Sequence, residues 1–395
     1  MSLNSVVSAE RLHIAFFGRR NAGKSSLVNA VTNQSLSVVS DTPGTTTDPV
    51  KKAMELLPLG PVQIIDTPGF DDVGTLGELR VQKTRQVLAG TDVAVLVLDA
   101  AAGKTDADRE LETIFAEKRI PFLTAYNKAD LLESRPDLPP EGLYTSAVTR
   151  EGIEALKERI GALGKDRENK KHIVSDLLSP GDHAVLVIPI DESAPKGRLI
   201  LPQQQTMRDL LDAGCTFSVC QPPELPAVIG GLRKPPALVV TDSQAFEQVA
   251  RLTPPDVRLT SFSILFARYK GELAPFLEGA AALKALAPGD RVLISEGCTH
   301  HRQCNDIGTV KLPGWIRDYS GTQDLVFDFT SGGDFPADLS PYRLVVHCGG
   351  CMLSEREMLS RLEHARRQGV PVVNYGIAIA EMHGILQRSV AALVR

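Results

Sequence analysis

Leu12-His13-Ile14-Ala15-Phe16-Phe17-Gly18-Arg19-Arg20-Asn21-Ala22-Gly23-Lys24-Ser25 is the stretch that decides the fold of the first part of this chain. Leu12–Phe17 reads as a buried strand, and the helical pattern Lys24–Val31 begins at its other end. Between them the octet Gly18 to Ser25 satisfies G-x-x-x-x-G-K-S/T. That order of strand, glycine-bearing turn and helix wraps backbone N–H groups around phosphate oxygens at a helix N-terminus. Lys24 is expected to reach the β- and γ-phosphates and Ser25 to hold Mg2+ through its hydroxyl. Gly18, Asn21, Ala22, Gly23, Lys24, Ser25 and Ser26 form the expected phosphate cradle.

Outward from this loop, Val62–Ile65, Val93–Leu98 and Ile120–Tyr126 read as further buried strands. They alternate with helical patterns at Leu76–Leu88, Asp106–Glu117 and Gly152–Leu163. Such alternation predicts an α/β domain with a mostly parallel sheet covered on both faces, here a P-loop GTPase domain. Three more motifs stand at strand ends. Asp66-Thr67-Pro68-Gly69 puts a carboxylate near Mg2+ and the Gly69 N–H near the γ-phosphate. Asn127-Lys128-Ala129-Asp130 fits N-K-x-D, with Asp130 accepting from the guanine N1–H and 2-amino group. Adenine lacks that donor pair, so the site selects GTP over ATP. Ser146-Ala147 lies where a loop contacting the guanine O6 is expected.

Asp41-Thr42-Pro43-Gly44-Thr45-Thr46-Thr47-Asp48 resembles the first switch of the tRNA-modifying and Era-like GTPases. The resemblance assigns Thr46, with Thr45 as the fallback, to close over Mg2+ when the γ-phosphate is present. Phe70 follows the Asp-Thr-Pro-Gly motif and cannot orient water as a glutamine does. Asn21 resembles the asparagine that helps hold K+ in the related families. Slow hydrolysis, faster in K+ than in Na+, is therefore expected. Glu78 is a candidate water-orienting carboxylate by position alone, against the plainer reading of a solvated helix residue.

A length of 395 residues suggests two or three domains. The charge run Lys165–Lys171 marks a boundary. We expect a nucleotide domain over 1–167 and two smaller α/β sections over 172–268 and 269–395. In the middle section His183–Ile190, Ala237–Thr241 and Ser261–Phe266 read as strands, with Met207–Ala213 and Ser243–Arg251 as helices. In the last, Arg291–Glu296, Leu344–His347 and Val370–Asn374 read as strands and Ser354–Gln368 as an amphipathic helix. The net charge of −5 argues against a general nucleic-acid-binding surface. No apolar run approaches a bilayer span and Met1 to Glu10 shows no secretory pattern, so a cytoplasmic protein with no membrane partner is expected.

The six cysteines all lie from Cys215 onward. Cys298-Thr299-His300 closes one strand and His347-Cys348-Gly349-Gly350-Cys351 closes another. Two cysteines separated by two residues, joined by a third from another strand end, make a three-thiolate site suited to a [4Fe-4S] cluster with one open iron. A Cys3His zinc site fits the same donors. Cys215, Cys220 and Cys304 lack ligand spacing, and His301 has no assigned role.

A GTPase domain followed by C-x-H, a gap and H-C-x-x-C resembles the [FeFe]-hydrogenase maturation GTPases, the HydF family. The resemblance covers essentially the whole chain. It implies a homodimeric scaffold whose [4Fe-4S] cluster sits on Cys298, Cys348 and Cys351. His300 and His347 would be ligands or would tune the open iron from behind. The middle section corresponds to the family's dimerisation domain. A transient diiron precursor would be received and passed to the apo-[FeFe]-hydrogenase, with two radical-SAM maturases as further partners. The competing expectation is an RNA- or ribosome-associated GTPase of the Era and TrmE-like class with a structural zinc.

Overall fold

Runs such as Val93-Ala94-Val95-Leu96-Val97-Leu98 carry no polar face, so they are stable only as strands covered on both sides. The computed structural model describes residues 8–33, 49–70, 83–165, 171–190, 199–297 and 306–393. They fall into two units, Met1–Lys170 and Lys171–Arg395.

The first unit holds β1 (Leu12–Phe17), α1 (Lys24–Thr32), β2 (Val50–Leu56), β3 (Gly60–Asp66), the described part of α2 (83–89) and β4 (Val93–Asp99). It continues with α3 (Asp106–Glu117), β5 (Phe122–Asn127), β6 (Gly142–Tyr144) and α4 (Ile153–Lys165). The sheet order is β2-β3-β1-β4-β5-β6. Only β2 runs antiparallel, against β3. Side chains alternate along each strand, which divides β1 between two cores. Ile14 and Phe16 meet Leu27 of α1 and Leu156 and Ile160 of α4. Ala15 and Phe17 meet Leu111 and Phe115 of α3. This is the P-loop GTPase fold read from the motifs. The edge strand β2 escaped that reading because Lys51, Lys52 and Glu55 interrupt its apolar residues.

The second unit begins with β7 (His183–Val187), α5 (Leu201–Asp212), β8 (Thr216–Cys220), α6 (Leu225–Gly231), β9 (Leu238–Thr241), α7 (Phe246–Leu252) and β10 (Leu259–Ser261). There follow α8 (Phe262–Lys270), α9 (Leu273–Lys284), β11 (Arg291–Glu296), α10 (Leu312–Ser320), β12 (Val326–Ser331) and β13 (Leu344–His347). The described chain ends with α11 (Glu355–Arg367), β14 (Val372–Asn374), α12 (Tyr375–Met382) and α13 (Leu386–Ala391). Two four-stranded sheets result, β10-β9-β7-β8 and β12-β11-β13-β14, parallel throughout. One hydrophobic core, with Phe262, Phe266, Phe276 and Ile377 among its residues, runs through both.

The strand expected over Ser261–Phe266 is a correction. The strand ends at Ser261, whose hydroxyl accepts the Ile264 N–H at 3.2 Å and so starts helix α8. Phe262, Ile264, Leu265, Phe266 and Ala267 are all buried, and a helix covered all round shows no periodicity to separate it from a buried strand. Among the described residues no helix is long and apolar enough to cross a membrane.

Candidate functional site

The nucleotide motifs converge at the C-terminal ends of β1, β3 and β5. The phosphate loop leaves β1 at Gly18, and Gly23 enters α1 with a left-handed backbone, φ +86°. A Cβ there would strike the Asn127 amide nitrogen, so only glycine fits. Lys24 is buried and donates to the carbonyls of Gly18 (3.0 Å) and Arg19 (2.7 Å), which lays its ammonium across the mouth of the loop. Ser25 donates to Asp66 at 2.6 Å, so the two groups expected to hold Mg2+ are already neighbours. Asp66 is fully buried at the end of β3, and the next residue, Thr67, donates to the Phe16 carbonyl at 2.7 Å. Gly69 lies against the Arg20 backbone, beside the phosphate loop. The Arg19 guanidinium points elsewhere, toward Asp108 (3.3 Å) and the Gly103 carbonyl (3.3 Å).

Asn127 holds this site together. Its amide nitrogen donates to the Ala22 carbonyl at 3.1 Å, and its oxygen accepts the Ala147 N–H at 3.2 Å. One buried side chain thus ties the phosphate loop to the loop of Ser146 and Ala147, whose Ser146 hydroxyl accepts from Thr149. Lys128, with φ +63°, reaches back to Asp99 at 2.7 Å. Burial raises the Asp99 carboxyl, but Lys128 and the Ala101 and Ala102 amides outweigh it and hold the group below its usual range. Asp130 stays exposed on the turn after β5. Asn21, also at positive φ (+62°), is exposed on the phosphate loop. Phe70 is buried in the core beside Phe17 and Leu88. Thr46, Thr45 and Glu78 lie outside the described residues.

The second site lies where β11 and β13 end side by side, with Ser295 opposite His347. The Cys348 N–H donates to the Ser295 carbonyl at 2.9 Å, and its sulfur accepts N–H bonds from Gly297 (3.0 Å) and Gly350 (3.4 Å). Gly350, φ +62°, turns the chain where a Cβ would meet Met358. Burial pushes the Cys348 thiol up to about 11, and burial also raises Cys351. Cys298, next in the chain after Gly297, lies outside the described residues, as do His300, His301 and Cys304. Among the described residues no three His, Cys, Asp or Glu side chains form a metal-holding group.

His347 is buried with both ring nitrogens engaged. Nδ1 meets the Cys348 carbonyl at 2.8 Å, and Nε2 meets the Arg361 guanidinium at 3.1 Å. A guanidinium only donates, so Nε2 is the acceptor and Nδ1 carries the proton. Burial, reinforced by the Arg361 charge, lowers the His347 pKa to about 3. Arg361 of α11 also donates to the Gly332 carbonyl (2.6 Å) and Glu357 (2.8 Å). Lys270, at the end of α8, donates to the carbonyls of Gly350 (3.3 Å), Cys351 (2.8 Å) and Leu353 (2.7 Å). Sequence reading missed both cations. Arg361 left a trace, since it shares a helical face with the buried Met358 and Ala365. Lys270 left none, because a lysine ending a helix is ordinary.

Comparison with known proteins gives three family matches. Residues 173–271 match the hydrogen maturase F dimerization domain, residues 274–392 the hydrogen maturase F tetramerization domain, and residues 13–128 the 50S ribosome-binding GTPase family. The first two together cover more than half of the chain. Curated relatives include the tRNA modification GTPase MnmE of Nitrosomonas europaea, 34% identical over 153 residues, and that of Synechococcus sp., 39% identical over 158 residues. Each alignment covers 38% of this chain, and the chain spans about a third of those relatives' length. Among solved structures, Aquifex aeolicus Era bound to GDP·AlF4− is 19% identical with a TM-score of 0.36, covering 61% of this chain and 97% of that one.

Proposed function

The chain belongs to the hydrogen maturase F family, and on that premise we propose that it is a GTPase-gated iron–sulfur scaffold of hydrogenase maturation. The observation that carries the reading is the meeting of the two strand ends bearing the cysteine motif. Gly297, the residue before Cys298, gives its N–H to the Cys348 sulfur at 3.0 Å.

In the nucleotide site, residues 18–26 bind the triphosphate, with Lys24 turning from the Gly18 and Arg19 carbonyls onto the β- and γ-phosphates. Ser25 and Asp66 share Mg2+, and Thr46 completes that shell in the GTP state. Asp130 reads the guanine edge, while Asn127 and Lys128 brace the base loop. Gly69 offers its N–H to the γ-phosphate. With Phe70 in the core, no side chain at that position orients the attacking water, and Glu78 is the proposed substitute. Asn21 supplies a K+ ligand, so hydrolysis of GTP to GDP and phosphate is slow and faster in K+ than in Na+.

In the second unit Cys298, Cys348 and Cys351 hold the [4Fe-4S] cluster. The donors fit it: soft sulfurs, with Cys348 directly after β13 and two backbone N–H groups already given to it. When bound, the cluster supplies an open iron to which a diiron precursor can attach as cargo, for delivery to the apo-[FeFe]-hydrogenase. His347, with both nitrogens engaged, acts from behind the sulfurs, and His300 is a ligand or tunes the open iron. Residues 172–268 dimerise the chain and 269–395 carry the cluster. The dimerization and tetramerization matches support self-association.

Anaerobic reconstitution with ferrous iron and sulfide tests the proposal. Brown protein with a reducible cluster EPR signal, absent in Cys298→Ala, is the expected result. A colourless protein that keeps one zinc through the same procedure would overturn it.

A further inference from the structure

Lysines that end helices ordinarily stay in water and bond the last carbonyls of their own helix. Lys270 instead turns into the protein. It is 3% exposed, and its three carbonyl partners, on Gly350, Cys351 and Leu353, are 80 to 83 residues away in the chain. An ammonium has three N–H donors, and here each has a carbonyl to meet. A neutral amine would turn a lone pair toward an acceptor, so this geometry holds the charged form. The ring of Phe266 lies 5.9 Å away on the same helix.

The position of those carbonyls sets the aim of the cysteine loop. A trans peptide points its N–H opposite to its C=O. Holding the Cys351 carbonyl toward Lys270 therefore turns the Met352 N–H the other way, away from that ammonium. Cys348 receives its own pair of amides from Gly297 and Gly350. Sulfur-directed N–H groups and nearby charge are what tune the potential of an iron–sulfur group.

We propose that Lys270 is a positioning residue of the cluster site: its ammonium presets the Cys348–Cys351 loop for metal and sets the reduction potential of the iron–sulfur group held there. This rests on the iron–sulfur reading of the same loop.

The test uses the full chain, reconstituted anaerobically with ferrous iron and sulfide, as wild type, Lys270→Met and Lys270→Arg. Thermal unfolding before reconstitution checks the fold. Midpoint potential by EPR-monitored titration and iron retained under EDTA are the readouts. Loss of the charge in Lys270→Met is expected to shift the reduction equilibrium about tenfold toward the oxidised form, about 59 mV more negative for one electron. It is also expected to speed iron loss about tenfold, while Lys270→Arg keeps the wild-type potential. A folded Lys270→Met with wild-type potential and iron retention overturns the inference and leaves the iron–sulfur reading standing. Wild-type protein that takes up no iron overturns the reading itself. If Lys270→Met does not fold, Lys270→Gln, which keeps N–H donors without charge, decides by its potential alone: unchanged, it overturns the inference.

Discussion

Both sites are built at the C-terminal ends of parallel strands, yet they treat their ligands in opposite ways. In the first unit the groups are charged, and Asn21 and Asp130 stand exposed around backbone N–H donors. Such a site suits a soluble anion that enters and leaves. In the second, Cys348 and Cys351 are half-buried, and their thiols are raised by burial. Lys270 and Arg361 beneath them are 3% and 5% exposed. A thiol binds metal only as the thiolate, so metal binding there displaces the proton. The strand-end geometry is shared, and the difference lies in the donors: charged groups and backbone N–H in the first, thiols braced by buried cations in the second. We read the first as the exchanging site and the second as the resident one.

Reciprocal substitutions are the sharpest way to break that contrast. Lys24→Ala is expected to lower phosphate release from GTP by about 10²–10³-fold, the loss typical of one transition-state donor, with reconstituted iron per chain unchanged. Cys348→Ala is expected to lose iron retention while hydrolysing GTP at the wild-type rate. If either variant, still folded, lost both properties, the two sites would not be separable.

A smaller effect is expected at the base. Asp130→Asn removes charge-assisted hydrogen bonds worth about 1.5–3 kcal/mol. GDP affinity measured by calorimetry is expected to fall about 10- to 150-fold, with ATP binding no better than before. An unchanged GDP affinity would take Asp130 out of the base site.

A further effect concerns pH and the second unit alone. His347 has a folded pKa of about 3 against about 6.5 when unfolded. Between those values the unfolded chain binds the extra proton, so stability falls as pH drops below about 6.5, by at most about 1.4 kcal/mol per pH unit. Urea midpoints of wild type and His347→Gln between pH 7 and pH 4 are expected to converge as pH falls. Parallel curves would remove His347 as the cause.

The legibility of the two regions differed for a physical reason. A phosphate loop is local: Gly18 to Ser25 contains its own turn, donors and helix start, and Asp66 and Asn127 sit at the ends of plainly apolar strands. The cysteine motif was visible as Cys298, Cys348 and Cys351, but its supports were not. Arg361 acts across three strand ends, and Lys270 acts from a helix whose continuous apolar run reads as a strand.

Residue order alone determined the α/β class, the phosphate loop, the guanine motif and the spacing of the cysteines, because each depends on neighbours a few positions apart. Tertiary structure decided that β11 and β13 are adjacent, that His347 spends both nitrogens on Cys348 and Arg361, and that Lys270 lies under the cysteine loop. Those facts depend on which strands pair and which helices cover them. Pairings between residues 14 and 83 positions apart follow from burying apolar surface across the whole second unit, and no short window of sequence records them.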